Sequence, residues 1–254
     1  GGKHSSFVAC AQYFDPGFFR VSLAEAQAMD PQQRLLLELG YEALHTSAHR
    51  RAQLQGSHRG VFVGMEMPDW FSVKATLPEV TRHSFGIGDP VCVASGRLSF
   101  VLGLHGPCKT IDTACSSGLC AVHSARLAVS YEGCLSAVAA AISLKLRPHT
   151  TLGLLVAGTV SADGRCKTFD ARANGYARAE AAGVVVLEAL GSQACSQLGA
   201  VVVRHDGRSA SLTAPNGSAQ RILLSDAWAS FNSPKLSMEA HGTGTALGDP
   251  TEVG

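Results

Sequence analysis

The chain has 254 residues, of which 46% are hydrophobic, and a formal net charge of +1. This is enough for one large or two ordinary globular domains with a substantial core. The near-neutral charge argues against nucleic-acid binding and against polybasic attachment to a membrane surface.

No apolar run approaches the ~20 residues of a membrane span. The nearest, Cys134 to Leu144, is short, holds serines and reads as a core strand. Gly1 is not followed by a signal-peptide layout, and the chain reads as an internal piece of something longer. The eight cysteines are Cys10, Cys92, Cys108, Cys115, Cys120, Cys134, Cys166 and Cys195. They are scattered, unlike the dense framework of a small secreted domain. Reduced thiols in an intracellular compartment, cytoplasmic or organellar, are therefore expected.

In chain order, Ser5 to Phe19 is irregular and aromatic. Ser22 caps a predicted short helix, Leu23 to Met29, with Glu25 at the third position as in a capping box. Asp30-Pro31 starts a longer helix, with Asp as N-cap and Pro at the first helical position. Leu36, Leu37, Gly40, Tyr41 and Leu44 share one face of it. Arg59 to Gly64 reads as a buried strand, Met65 to Asp89 as a long polar loop, and Val91 to Leu104 as a helix with Val93, Leu98, Val101 and Leu102 inward. Leu135 to Ser143 is small, apolar and unalternating, as a central strand is. Leu144 to Gly164 is looser. Gly183 to Leu190 and Ala200 to Val203 are β-branched runs expected to pair as strands. Ala219 to Phe231 reads as an amphipathic helix, and Lys235 to Ala240 as a strand leading into His241. Strands alternating with helices predict a layered α/β fold.

Two stretches carry chemistry. The first is Asp112-Thr113-Ala114-Cys115-Ser116-Ser117-Gly118-Leu119. Lys109-Thr110-Ile111 leads in as a strand, and Leu119, Val122, Ala125, Leu127 and Ala128 follow at helical spacing. Cys115 then sits at a helix start, where unpaired N–H groups and the positive dipole end favour a thiolate. The dipole supplies about 0.3–1 kcal/mol, at best ~2. One pKa unit is about 1.36 kcal/mol, so roughly one unit is gained, and Cys115 needs a second activating group. The second stretch runs from Glu239 to Pro250 and puts His241 at a strand end on a glycine-rich loop. A histidine there can activate the thiol or donate a hydrogen bond to a carbonyl oxygen as charge develops.

Rival readings are weaker. His105-x-x-Cys108 and Cys120-x-x-His123 have zinc-like spacing, but the segment linking them is the helix-start motif itself, so no metal is assigned. Gly242 onward does not fit GxGxxG, which removes a nucleotide-binding loop. Asn216-Gly217-Ser218 reads as a turn rather than a glycosylation site.

The blocks DTACSSGL around Cys115 and EAHGTGTALGDPTE around His241 resemble the two signatures of β-ketoacyl synthases of polyketide synthase type. FDPGFFRVSLAEAQAMDPQQRLLLELGYEAL, GRLSFVLGLHGP, SADGRCKTFDARANGYARAE and TAPNGSAQ are similar to further blocks of that family. The resemblance implies a thiolase-like fold, layered α-β-α-β-α, with residues 1–190 as the N-terminal half and 191–254 as the start of the C-terminal half. It implies Cys115 as acyl-accepting nucleophile, His241 as the first of two catalytic histidines, and Thr243 and Thr245 as hydrogen-bond partners of a phosphopantetheine arm. No cofactor bound by the domain itself is implied. The implied partners are an acyl carrier protein, acyl and malonyl-type thioesters, and a second copy of the chain in a homodimer. The implied reaction is acyl transfer to Cys115, then decarboxylative condensation to a 3-ketoacyl thioester, as in polyketide or fatty acid biosynthesis. The family's second histidine and a lysine lie downstream of the HGTGT block, so the residues up to Gly254 are expected to form an incomplete site. Ala139-Ala140-Ala141 stands near a usual Gly-Gly. Ala179 and Ala181 flank Glu180 where the family often has glycines, and Ala181 is expected to add a methyl where backbone packs closely. A thiolase-fold acyltransferase without decarboxylation and a non-catalytic scaffold are the alternative readings.

Overall fold

A computed structural model describes residues 5–76, 90–189, 195–211, 213–229 and 237–254. Helices of six or more residues are α1 (Leu23–Ala28), α2 (Pro31–Thr46), α3 (Val93–Leu102), α4 (Ser117–Tyr131), α5 (Pro148–Val156), α6 (Gly217–Trp228) and α7 (Gly248–Val253). The strands are β1 (Arg59–Met65), β2 (Cys108–Ile111), β3 (Ser136–Ser143) and β4 (Ala181–Glu188). The chain divides into two compact units. One comprises residues 7–146 and 180–196, the other residues 1–6, 147–179 and 197–254.

The first unit is built on one sheet in the order β2-β1-β3-β4. β1 pairs in parallel with β2 and with β3, and β4 closes antiparallel on β3. Every residue of β1 is buried, so both faces of the sheet are covered there. The two-residue period sends Val61, Val63 and Met65 to one face, where they meet leucines of α2 and α3. Phe62 points the other way and meets Ala121, Ala125 and Ala128 of α4. The result is an α-β-α sandwich. Near its edge Phe19 is buried and stacks on Phe14, with ring centroids 5.3 Å apart.

The helix starts follow the sequence signals. Asp30 accepts from the Gln32 N–H at 2.8 Å with Pro31 at the first position. Ser22 accepts from the Glu25 N–H at 3.1 Å. Glu25 does not complete the capping box. Its carboxylate pairs instead with Arg97 on α3.

Other expectations are corrected, among them the polar loop from Met65 to Asp89, which holds a short helix at Trp70–Lys74. The helical spacing expected after Cys115 forms α4, whose buried stripe is alanine, with Leu119 70% exposed. Ala200 to Val203 forms no strand; β4 takes its ladder from the buried β3, since β-branched sequence without a partner edge does not make a strand. Residues 237–240 are not a strand, and 235–236 lie outside the described residues, as does 77–89 of the predicted polar loop. The stretch expected to be loose contains α5, which begins at Pro148. None of the α5 residues is buried, so no amphipathic signal marks it. The alanine substitutions fit without crowding. Ala181 is exposed, and the methyl of Ala141 packs beside Gly118.

The second unit contains α5, α6, α7 and two isolated bridges, Ser6 with Ala179 and Val160 with Tyr176. No second sheet forms among the described residues.

Candidate active site

Cys115 lies just past the carboxyl end of β2, where open parallel sheets present their ligand sites. It is the middle residue of a single 3₁₀ turn, Ala114–Ser116, and α4 starts two residues later. Its side chain is exposed. Ala114 has φ 55°, in the left-handed region, which costs a residue with a Cβ about 1–2 kcal/mol. Side chains around the turn hold it there. Asp112 Oδ1 accepts from the Ala114 N–H at 3.1 Å, and Ser116 Oγ donates to Thr113 O at 2.9 Å. Ser117 Oγ accepts from the Thr113 N–H at 2.8 Å and donates to Ala114 O at 2.7 Å. Thr113 Oγ1 in turn donates to Cys120 Sγ at 3.4 Å.

The depth of this turn is set by Gly64 on β1. A Cβ on Gly64 would lie 2.6 Å from the carbonyl carbon of Ser117 and 2.7 Å from the N of Gly118. Only the absence of a side chain there lets α4 start against the sheet. The thiol therefore stands on the outward side of a helix start whose inward side touches a central strand.

His241 is exposed on its glycine-rich loop in the second unit. The peptides after it are fixed from several directions. Glu252 Oε2 accepts from the Gly242 N–H at 2.9 Å, and Thr168 Oγ1 donates to Gly242 O at 2.6 Å. Gly242 has φ 57°, and a Cβ there would lie 2.7 Å from Thr168 Cγ2. Gly175 N donates to Gly244 O at 2.8 Å. Asp249, 6% exposed, accepts from the Gly244 N–H at 2.9 Å and from the Phe169 N–H at 2.7 Å. Phe169 has φ 58°, so this carboxylate also holds a left-handed residue. The Thr243 and Thr245 hydroxyls meet at 3.0 Å, and Thr245 Oγ1 accepts from the Gly248 N–H at 3.1 Å. Next to the loop, Lys167 Nζ donates to Asp163 Oδ1 at 2.8 Å and Asn174 Oδ1 at 2.9 Å. Lys167 and Ser161 together hold the Asp163 carboxyl well below the usual range.

The structure thus brings Thr243 and Thr245 together on the His241 loop and places Cys115 on the sheet unit. Sequence reasoning did not single out Asp249, Glu252, Thr168 or Ser117. Asp249 carried one usable signal, an acidic residue in the first turn of a helix behind a glycine loop. Its partner Phe169 carried none.

The other motifs resolve locally. Asn216 caps α6, its Oδ1 accepting from Ser218 N and Ala219 N, while its Nδ2 donates to Asp206 O at 2.9 Å. Among the described residues no three His, Cys, Asp or Glu side chains gather to hold a metal ion. No described helix is long and apolar enough to cross a membrane.

The first unit thus presents a cysteine at a strand–turn–helix junction, and the second a histidine on a glycine loop. Residues 1–192 match the family described as β-ketoacyl synthase, N-terminal domain, and residues 195–254 match β-ketoacyl synthase, C-terminal domain. The chain belongs to the β-ketoacyl synthase family. It is 42% identical over 255 residues to erythronolide synthase EryA3 of Saccharopolyspora erythraea, covering 97% of this chain and 8% of that one. It is similar to the ketosynthase from module 6 of the bacillaene synthase from Bacillus subtilis 168, with TM-score 0.84 and 32% identity over 98% of this chain and 44% of that one. An oxazolomycin ketosynthase domain from Streptomyces albus JA3453 gives TM-score 0.85 and 33% identity over 97% and 44%. The chain therefore spans a small part of the curated relative and under half of each solved ketosynthase chain. The likeness to these ketosynthases establishes the thiolase-like fold.

Proposed function

We propose that this chain carries the acyl-accepting cysteine and one oxyanion-binding histidine of a ketosynthase that extends carrier-bound acyl chains. The observation that carries the reading is Cys115, exposed on a constrained turn at the start of α4, in a member of the β-ketoacyl synthase family.

In the first half-reaction the Cys115 thiolate attacks an acyl thioester carbonyl. A carbon–sulfur bond forms to Cys115, the bond to the carrier sulfur breaks, and the carrier thiol leaves with a proton. In the second, a malonyl-type thioester loses carbon dioxide, and the electron pair of the broken carbon–carbon bond becomes an enolate. His241 donates a hydrogen bond to the enolate oxygen, a contribution typically worth ~2.7–4 kcal/mol. The enolate carbon attacks the acyl-cysteine, the Cys115 thiolate leaves, and a 3-ketoacyl thioester remains. Thr243 and Thr245 hydrogen-bond the phosphopantetheine arm that brings each thioester. The arm belongs to the partner, an acyl carrier protein, and the domain itself holds no cofactor. The working form is a homodimer, as family membership supports.

The test is acylation and condensation by the intact protein, read by mass spectrometry of carrier-bound products. Cys115→Ala is expected to abolish acyl loading. His241→Ala is expected to retain loading while condensation falls about 10²–10³-fold, the usual cost of one oxyanion donor. Acyl loading that survives Cys115→Ala, or loading without 3-ketoacyl product in the unaltered protein, overturns the reading.

A further inference from the structure

We propose that Ser117 is a positioning residue for the nucleophile: its buried hydroxyl clamps the turn that aims the Cys115 thiol. The proposal rests on Cys115 being the acyl acceptor.

Three side chains bond the backbone of the turn, and they are not equivalent. Asp112 and Ser116 are exposed, so water can replace their bonds, whereas Ser117 is 6% exposed. Its hydroxyl is used in both senses, accepting from the Thr113 N–H at 2.8 Å and donating to Ala114 O at 2.7 Å. These two groups bracket the Thr113-Ala114 pair, of which Ala114 is the residue at φ 55°. A left-handed residue with a Cβ persists only where its surroundings over-determine it. Of the three side chains, Ser117 is the buried one, and its two part-buried bonds tie the chain across that residue. The backbone of Ser117 is itself pinned, because its carbonyl carbon lies where a Cβ on Gly64 would come within 2.6 Å. The clamp is thus anchored to the sheet and transmits the position of β1 to the residue before Cys115.

Removing the hydroxyl leaves the Thr113 N–H and the Ala114 carbonyl without their buried partner. Ala114 then relaxes toward the right-handed region, and the thiol moves with it. A misplacement of about 1 Å in a reacting group costs on the order of 10²-fold in rate. Substrate binding contacts are untouched, so the loss falls on the chemical step.

The experiment follows acylation of Cys115 by acetyl-N-acetylcysteamine in the intact protein, by mass of the Cys115 peptide against thioester concentration. Ser117→Ala is expected to lower the limiting rate about 10–100-fold. The half-saturating concentration should stay within about twofold, since no binding group is removed. Glycine adopts the left-handed region at no steric cost, so Ala114→Gly added to Ser117→Ala should recover much of the lost rate. If Ser117→Ala alone does not fold, the double variant is read directly, and folding with measurable acylation of Cys115 supports the clamp. An unchanged limiting rate in Ser117→Ala, a loss confined to half-saturation, or a double variant no better than the single one overturns it. Acylation that survives Cys115→Ala identifies a failure of the underlying reading instead.

Discussion

Glu38, half-buried on α2, shows how burial sets the charge cost of a single residue. Burial pushes its carboxyl above the usual range, and Asp15 adds to the shift, while Arg34 one turn earlier opposes it. Arg34 is also penalised, its guanidinium pushed down by burial and its Nε left without a partner. Arg preceding Glu by four residues is the weaker orientation of such a pair. For a carboxylate with a raised folded pKa, the unfolded chain binds fewer protons between the two values. Stability therefore falls as pH rises through that window, and the penalty is in full force at neutral pH. Glu38→Gln should raise the melting temperature at pH 7, with the gain shrinking as pH falls through the ordinary glutamate range of about 4.3 and vanishing below it, where the carboxyl is protonated in both states. Melting curves of the two proteins across that range check it; a gain that does not shrink with acid, or a loss at pH 7, contradicts it.

At the scale of elements, α4 owes its position to small residues on both sides of its contact with the sheet. Gly64→Ala would put a methyl 2.6 Å from the Ser117 backbone. The start of α4 must then lift, at a cost of about 1–3 kcal/mol in stability. A thermal melt with slowed acylation of Cys115 is the expected result, and an unaffected acylation rate would show that the depth of the turn is not critical. The same contact explains what the sequence did and did not reveal. Ile111 to Gly118 was readable as strand, turn and helix, because small residues separate an apolar run from a helical period. The helical spacing of Leu119, Val122, Ala125, Leu127 and Ala128 was legible, but not which of them face the sheet. Only alanine is small enough for the packed side, and Leu119 is left outside. β3 and β4 were each visible as strands, but their pairing was not, since register is a tertiary fact. In the histidine loop the glycines and threonines were legible. Their holders, Thr168 and Asp249, act through partners remote in sequence, which no local pattern encodes.

Across the whole molecule the thiols form a graded series. All eight cysteines are free, with Cys10, Cys92, Cys108, Cys115, Cys166 and Cys195 exposed, Cys120 intermediate and Cys134 buried. Exposure alone thus does not single out Cys115. What sets Cys115 apart is its place on the constrained turn at the N-terminal end of α4. Burial, reinforced by Glu132, pushes the Cys134 thiol up. Limited iodoacetamide at neutral pH should modify Cys115 first and Cys134 last, the latter only once the core opens in denaturant. Peptide mapping over time checks the order, and equal rates for Cys115 and the other exposed cysteines would remove the case for an activated thiol.

The Asp249 carboxylate joins Gly244 to Phe169, which lies 80 positions before Asp249 in the chain. The shape of the His241 loop is therefore not encoded in the loop alone. It arises from a long-range closure whose entropy must be met before the contact forms, and closures of that span come late in folding. The loop acquires its shape only when the unit around it is complete. An unfinished or partly opened chain would display the same residues on an unformed loop, so the role proposed for His241 depends on native assembly as much as on its own side chain.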